Sequence, residues 1–149
     1  MKIAIGSDHG GYLVKAEIIK RLENEGHEVI NCGVDSAEMV DYPVYAKKTV
    51  EAMFSEHADF AILICGTGIG MSIAANKIEG VRAAHCTDCF SAEMAKAHNN
   101  SNVICLGARI TGIELMWKII KSYMGAEFLG SFHQPRVEML NSEFMNKKA

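Results

Sequence analysis

The chain has 149 residues, of which 49% are apolar and 22% charged, with a formal net charge of -3 and five cysteines. This is the length of one ordinary domain, 1–149, able to bury a core without staples, and its balance of apolar to charged residues excludes a disordered chain. No Lys/Arg run supplies a basic field, which argues against nucleic acid and membrane surfaces as partners.

The opening "MKIAIGSDHGG" has one lysine and three apolar residues before it turns polar, too few for a signal-peptide core. No span approaches the roughly 20 apolar residues of a membrane helix. The expected compartment is the cytoplasm, where an odd set of cysteines stays reduced.

In chain order, a strand over Lys2 to Ser7 is followed by a helix whose apolar stripe is Tyr12, Ala16, Ile19 and Leu22, closing at Gly26. The second strand is His27 to Cys32. The loop "GVDSAEMVDYP" then leads to a helix beginning near Pro43, a residue welcome in a first helical turn. The third strand is Phe60 to Cys65; after "GTGIG" a short helix runs to Lys77, Gly80 ends the connection, and the fourth strand is Val81 to Cys86. A helix from Cys89 to His98, a strand from Asn102 to Leu106 and a helix over Gly112 to Met124, stopped by Gly125, complete the alternation. In the tail, Val137, Leu140 and Phe144 share one helical stripe, so a last helix is expected to dock on this domain or on a partner subunit. This alternation predicts an α/β fold: a three-layer, doubly wound, five-stranded parallel sheet of Rossmann-like type with right-handed crossovers.

In such a sheet ligands sit outside the carboxyl ends of the strands. The loops there are polar: Ser7-Asp8-His9, Asp41-Tyr42-Pro43, Cys65-Gly66-Thr67-Gly68-Ile69-Gly70 and Gly107-Ala108-Arg109. Cys65 ends a strand just ahead of a helix, where turn N–H groups and the positive helix end favour a thiolate and any oxyanion beside it. The glycines let the main chain approach a ligand and tolerate positive φ. A small buried cysteine followed by a tight turn accounts for the same residues, and the turn alone does not separate the two readings.

Three known loops fail against this stretch. A Walker loop needs a lysine after Gly70, where Met71 stands. A dinucleotide fingerprint needs its third glycine one residue later and belongs to the first strand–helix turn. A cysteine-phosphatase loop needs an arginine six residues after the cysteine, which is again Met71. What remains is an anion-binding turn with a thiol at its edge.

His98, at the end of a helix and before the fifth strand, belongs at the amino edge of the sheet, about 17 Å from the Cys65 edge across a five-residue strand. Either "HNNSN" is a helix stop with Asn99 or Asn100 left-handed, or it serves a site completed by a second subunit. Spacing alone favours the stop. Cys86 and Cys89 form a lone CxxC, weak grounds for a zinc or redox site. His27, His57 and His85 are scattered singly and read as structural or solvated, and the nine methionines as core filler.

Taken together, "IGSDHGG", "DYPVYA" at 41–46, "ICGTGIGMSIAANK" at 64–77, "HNNSNVICLGAR" at 98–109 and "HQPRV" at 133–137 resemble the type B ribose-5-phosphate isomerases. Their wider family includes allose-6-phosphate and galactose-6-phosphate isomerases. The resemblance implies aldose–ketose isomerisation of a phosphorylated sugar with no cofactor and no metal. It makes Cys65 the base between C1 and C2, and the amides of Gly66, Thr67, Gly68, Ile69 and Gly70 the enediolate cradle. His98 becomes the ring-opening acid with Asn99 a substrate contact, Asp8 and His9 sugar and phosphate contacts, and Arg109 and Arg136 phosphate ligands. Tyr42 and Thr67 line the pocket, and Thr67 and Asp8 join Cys65 and His98 in the catalytic set. It further implies a homodimer or homotetramer with a shared pocket, which would resolve the position of His98.

One departure stands out: where the family usually has Gly-Gly-Arg-His, this chain has Gly130-Ser131-Phe132-His133, so an aromatic ring replaces a phosphate-binding arginine. The preferred sugar phosphate is therefore open between ribose 5-phosphate and a hexose 6-phosphate. A non-catalytic nucleotide or sugar-phosphate binding module is the reading from a different class.

Overall fold

The computed structural model describes residues 1–142. Five strands alternate with helices: β1 (Lys2–Ser7), α1 (Tyr12–Asn24), β2 (Glu28–Asn31), α2 (Tyr42–Ser55), β3 (Phe60–Cys65), α3 (Ile69–Ala75), β4 (Ala83–His85), α4 (Cys89–Ala97), β5 (Val103–Gly107), α5 (Ile113–Gly125), a 3₁₀ turn (Ser131–His133) and α6 (Gln134–Ser142). All strand pairs are parallel, in the order β2-β1-β3-β5-β4. The predicted α/β doubly wound sheet is the observed one.

Strand residues alternate between two cores, as a period of two requires. Ile3, Ile5, Ile62, Ile64, Ile104 and Leu106 face α1, α4 and α5, meeting Ile18, Leu22, Ala92, Met116 and Ile119. Ala4, Ala61, Leu63, Cys65, Val103 and Cys105 face α2 and α3, meeting Val50, Met53 and Met71. Each fully buried Ile or Leu side chain contributes roughly 1.5–3 kcal/mol of transfer free energy. Cys65 thus lies on the α2–α3 side of the sheet.

The first helix departs from its predicted stripe. It buries Lys15, Ile18 and Leu22, while Ala16 is exposed and Tyr12 and Ile19 are half-buried. The stripe is rotated because Lys15, counted as polar in the sequence, finds buried partners for its ammonium. Two strands are shorter than predicted: β2 lacks His27 and Cys32, and β4 lacks Val81, Arg82 and Cys86. Both are sheet edges. At β4 the side chain of Asn76 takes a strand's place, accepting from Ala83 N–H and donating to Ala83 C=O at 2.9 Å each, which covers an open edge. The same residue caps α3, whose last residue, Ala75, falls two positions short of the predicted Lys77.

"HNNSN" is a helix stop, with Asn100 as its left-handed residue at φ 46°. In α6, Val137 is buried and Leu140 is 46% exposed, whereas Phe144 lies outside the described residues. No helix among the described residues is long and apolar enough to cross a membrane.

Candidate active site

The chain leaves β1 toward β2 on one side of the sheet and β3 toward β4 on the other, so the crevice between the carboxyl ends of β1 and β3 is a topological switch point. Ser7 and Cys65 end those two strands. The tertiary structure gathers the predicted loops around the turn that follows Cys65.

Each glycine of that turn has a different neighbour pressed against it. A Cβ at Gly66 would lie 3.4 Å from Arg109 Nε, and a Cβ at Gly10 would lie 3.2 Å from Gly66 N. The β1 loop and Arg109 therefore both border Gly66. A Cβ at Gly70 would meet the Tyr42 ring at 3.0 Å, and one at Gly107 would meet the Thr67 carbonyl oxygen at 2.7 Å. Gly68 is left-handed at φ 80°, and a side chain there would strike His85 at 2.7 Å. Only glycine satisfies both constraints.

This geometry turns the Gly68 N–H back onto Cys65, donating to Sγ at 3.1 Å. Cys65 is 5% exposed, so an anionic sulfur here relies on protein donors in place of water. A direct amide donor matters more than the dipole of α3, which has only seven residues. The β5 loop is tied on by main chain alone: Ala108 N–H donates to Cys65 C=O at 2.8 Å and Arg109 N–H to Gly66 C=O at 2.9 Å. Arg109 is exposed and makes no ion pair among the described residues. Asp8 is buried and accepts from Gly10 N–H at 2.8 Å. His9 Nδ1 accepts from Val40 N–H at 3.3 Å. Thr67 and Ile69 are exposed, the Ile69 side chain at the head of α3.

His98, Asn99 and Arg136 are not in this group. His98 caps the carboxyl end of α4 and precedes β5, so it sits at the amino edge of the sheet. There its ring stacks on His133, with centroids 4.2 Å apart and planes at 13°. Phe132 also lies against His133, with ring centroids 4.2 Å apart and planes at 38°, and the Arg136 guanidinium covers the Phe132 ring at 5.5 Å. Desolvation, then the nearby His98 and Arg136, hold the His133 imidazole below its ordinary pKa. Asn99 is exposed and lines a cavity of about 450 Å³ with Arg82, Ser101 and Leu140.

Sequence reasoning missed three side chains. His85, read as structural or solvated, stands beside Gly68; it ends β4, so the rule that placed the other loops at the carboxyl edge applied to it as well. His133 stands in "HQPRV" without a role assigned to it, and only the stacking on His98 singles it out. Lys15 was hidden by its charge. Cys86 of the CxxC pair is buried, which raises its thiol to about 11 and makes it a poor nucleophile. Among the described residues no three His, Cys, Asp or Glu side chains converge as a metal site.

The chain was compared with known proteins. A model of the Ribose/Galactose Isomerase family matches residues 3–140. Ribose-5-phosphate isomerase B of Escherichia coli K12 is 45% identical over 141 residues, 95% of each chain. Galactose-6-phosphate isomerase subunit LacB of Clostridium acetobutylicum is 41% identical over 128 residues, 86% of this chain and 74% of that one. Among solved structures, ribose-5-phosphate isomerase B of Clostridium thermocellum superposes with a TM-score of 0.92 at 48% identity, covering 95% of both chains. On the sheet order, the Cys65 turn and these matches, the chain belongs to the ribose/galactose isomerase family.

Proposed function

We propose that this chain, as one isomerase domain, interconverts ribose 5-phosphate and ribulose 5-phosphate through an enediolate. The observation that carries the reading is the Gly68 N–H on Cys65 Sγ, a main-chain donor on a sulfur at the switch-point crevice where open α/β sheets bind ligands. The thiolate takes the proton from C2 of the open-chain aldose and returns it to C1, while the hydroxyl proton passes from O2 to O1. Charge that builds on oxygen meets the amides of residues 66–70, with the Gly68 N–H shared with the sulfur, and one such donor is worth about 3 kcal/mol in the transition state. Asp8 and Thr67 hold the reacting hydroxyls, and Tyr42 bounds the sugar. His9 and Arg109 meet the phosphate from this chain.

His98, Asn99 and Arg136 enter from a second copy. A ring-opening acid at the opposite sheet edge reaches Cys65 chemistry only across a subunit interface, and this supports a homodimer, or a tetramer of such dimers, with shared sites. The exposed Ile69 and Ile73 on α3 and Phe132 in the 3₁₀ turn are apolar surface suited to that contact.

Turnover of a panel of aldose phosphates by wild type and Cys65→Ala tests the assignment. The variant should lose roughly 10²–10⁴-fold in kcat, the usual worth of a positioned base, and still bind phosphate. Substantial residual turnover would remove Cys65 from the role. A hexose 6-phosphate substrate is the second reading, favoured by Phe132, 65% exposed where an arginine is usual; a higher kcat/KM for allose 6-phosphate would select it.

A further inference from the structure

Lys15 is fully buried in α1, at 0% exposure. An ammonium is taken out of water only when it is paired, and a methionine would fill the same space without charge. Its Nζ donates to Asn31 Oδ1 at 2.7 Å, at the end of β2, and to Asp35 Oδ1 at 2.6 Å. Asn31 Nδ2 donates to the same Asp35 oxygen at 3.2 Å, and Gly33 N–H donates to Asn31 Oδ1 at 3.3 Å. The hydrogen bond from Lys15 holds the Asp35 carboxyl below the usual carboxylate range. Gly33 presses on Ser7, where a Cβ would come within 2.4 Å of Ser7 N and 2.9 Å of Lys15 Cδ. All of these contacts fall on the root of the loop between β2 and α2.

The far end of that loop carries site geometry. Val40 N–H donates to His9 Nδ1, and two residues later Tyr42 starts α2 with its ring against Gly70. Between the two ends, Met39 is 85% exposed, so the middle of the loop has little packing of its own. An Nδ1 that accepts must be unprotonated, and the neutral ring then carries its hydrogen on Nε2 as a donor.

We propose that Lys15 is a positioning residue of the isomerase site: by clamping the loop root through Asn31 and Asp35, it keeps Val40 on His9 Nδ1 and thereby presents His9 Nε2–H to the substrate phosphate. The proposal rests on His9 being a phosphate contact, so its test has one arm that needs no substrate. Histidine side-chain ¹⁵N–¹H correlation spectra of the ligand-free protein, at about pH 8 where an ordinary imidazole is neutral, report the tautomer, with His9→Gln assigning the signal. Wild type should show His9 as the Nε2–H form alone. Lys15→Met and Asp35→Ala should show both forms and raise KM for the best aldose phosphate by about twofold to tenfold, the range of one hydrogen bond, with kcat within about twofold. Asp35→Asn, which keeps an acceptor for the ammonium, should restore most of both. Asp35 is 75% exposed, so its variants carry the test if Lys15→Met does not fold. A wild-type His9 protonated on Nδ1 would overturn the proposal. So would variants that melt earlier while tautomer and KM keep their wild-type values. Failure of the isomerase assignment would show instead as no turnover by wild type, with the tautomer result standing apart from it.

Discussion

At the carboxyl end of the sheet the candidate site groups are held by the main chain, whereas at the amino end the proposed ones are held by one another. Around Cys65, amides fix the sulfur and tie the β5 loop down, and glycines let Tyr42, Arg109 and His85 press on the backbone. Around His98, three rings and a guanidinium stack at the surface, with Phe132 and Arg136 largely exposed. The first arrangement is complete in one chain and suits charge stabilisation that must not reorganise. The second leaves Phe132 and Arg136 exposed around its stacked rings, the surface that the proposed shared site would use.

The largest effect should come from mixing variants. Cys65→Ala and His98→Ala, each nearly inactive alone, should regain about a quarter of wild-type turnover when co-assembled as dimers, because mixed dimers are half the population and contain one intact site. Absence of recovery, with mixed dimers demonstrated by mass, would place both residues in one subunit's site and erase the distinction between the two ends.

Gly68→Ala probes the main-chain end by itself. The left-handed backbone alone costs an alanine about 1–2 kcal/mol, and its Cβ would also press on His85 and the Leu106 backbone, so the drop in unfolding free energy should exceed that. Turning the Gly68 N–H off the sulfur should lower kcat by roughly 10²-fold. A variant that melts earlier with unchanged kcat would mean that the amide serves the turn and not the thiolate.

Phe132→Arg probes the side-chain end. A restored charge-assisted contact of about 1.5–3 kcal/mol should lower KM for ribose 5-phosphate by roughly tenfold or more. If KM rises instead, the ring belongs to the substrate site and the hexose reading gains.

The smallest effect concerns pH. The folded-state pKa of His133 lies below its ordinary 6.5, so on acidification the unfolded chain takes up this proton first. Its contribution to stability is full above about pH 6.5 and is lost as pH falls toward the folded value. His133→Phe keeps a ring against His98 and should flatten that part of the stability profile; an unchanged slope would mean that other groups set it.

Much of the candidate site at the carboxyl end was legible before folding, because a parallel sheet sends every strand's following loop to one edge, and "SDHGG", "DYP", "CGTGIG" and "GAR" all follow strands. Cys65 at the last position of β3 needed only the apolar run before it. Lys15 was illegible for the opposite reason. Helical periodicity counts a lysine as surface, and only Asn31 and Asp35, 16 and 20 residues away, make its burial tolerable. His85 carried a positional signal in its place at a strand's carboxyl end, yet what makes it matter is Gly68 folded beneath it.

The amino acid order by itself determined the alternating elements, the parallel sheet and the edge to which Cys65, Asp8 and Arg109 belong, since periodicity and strand polarity are local properties of the chain. Only the tertiary structure decided that β5 inserts between β3 and β4, that Gly68 bends its amide onto the sulfur, and that His98 stacks with His133 at the far edge. Those outcomes depend on which distant surfaces pack together, and packing is settled by volume and unmet hydrogen bonds that no local pattern records.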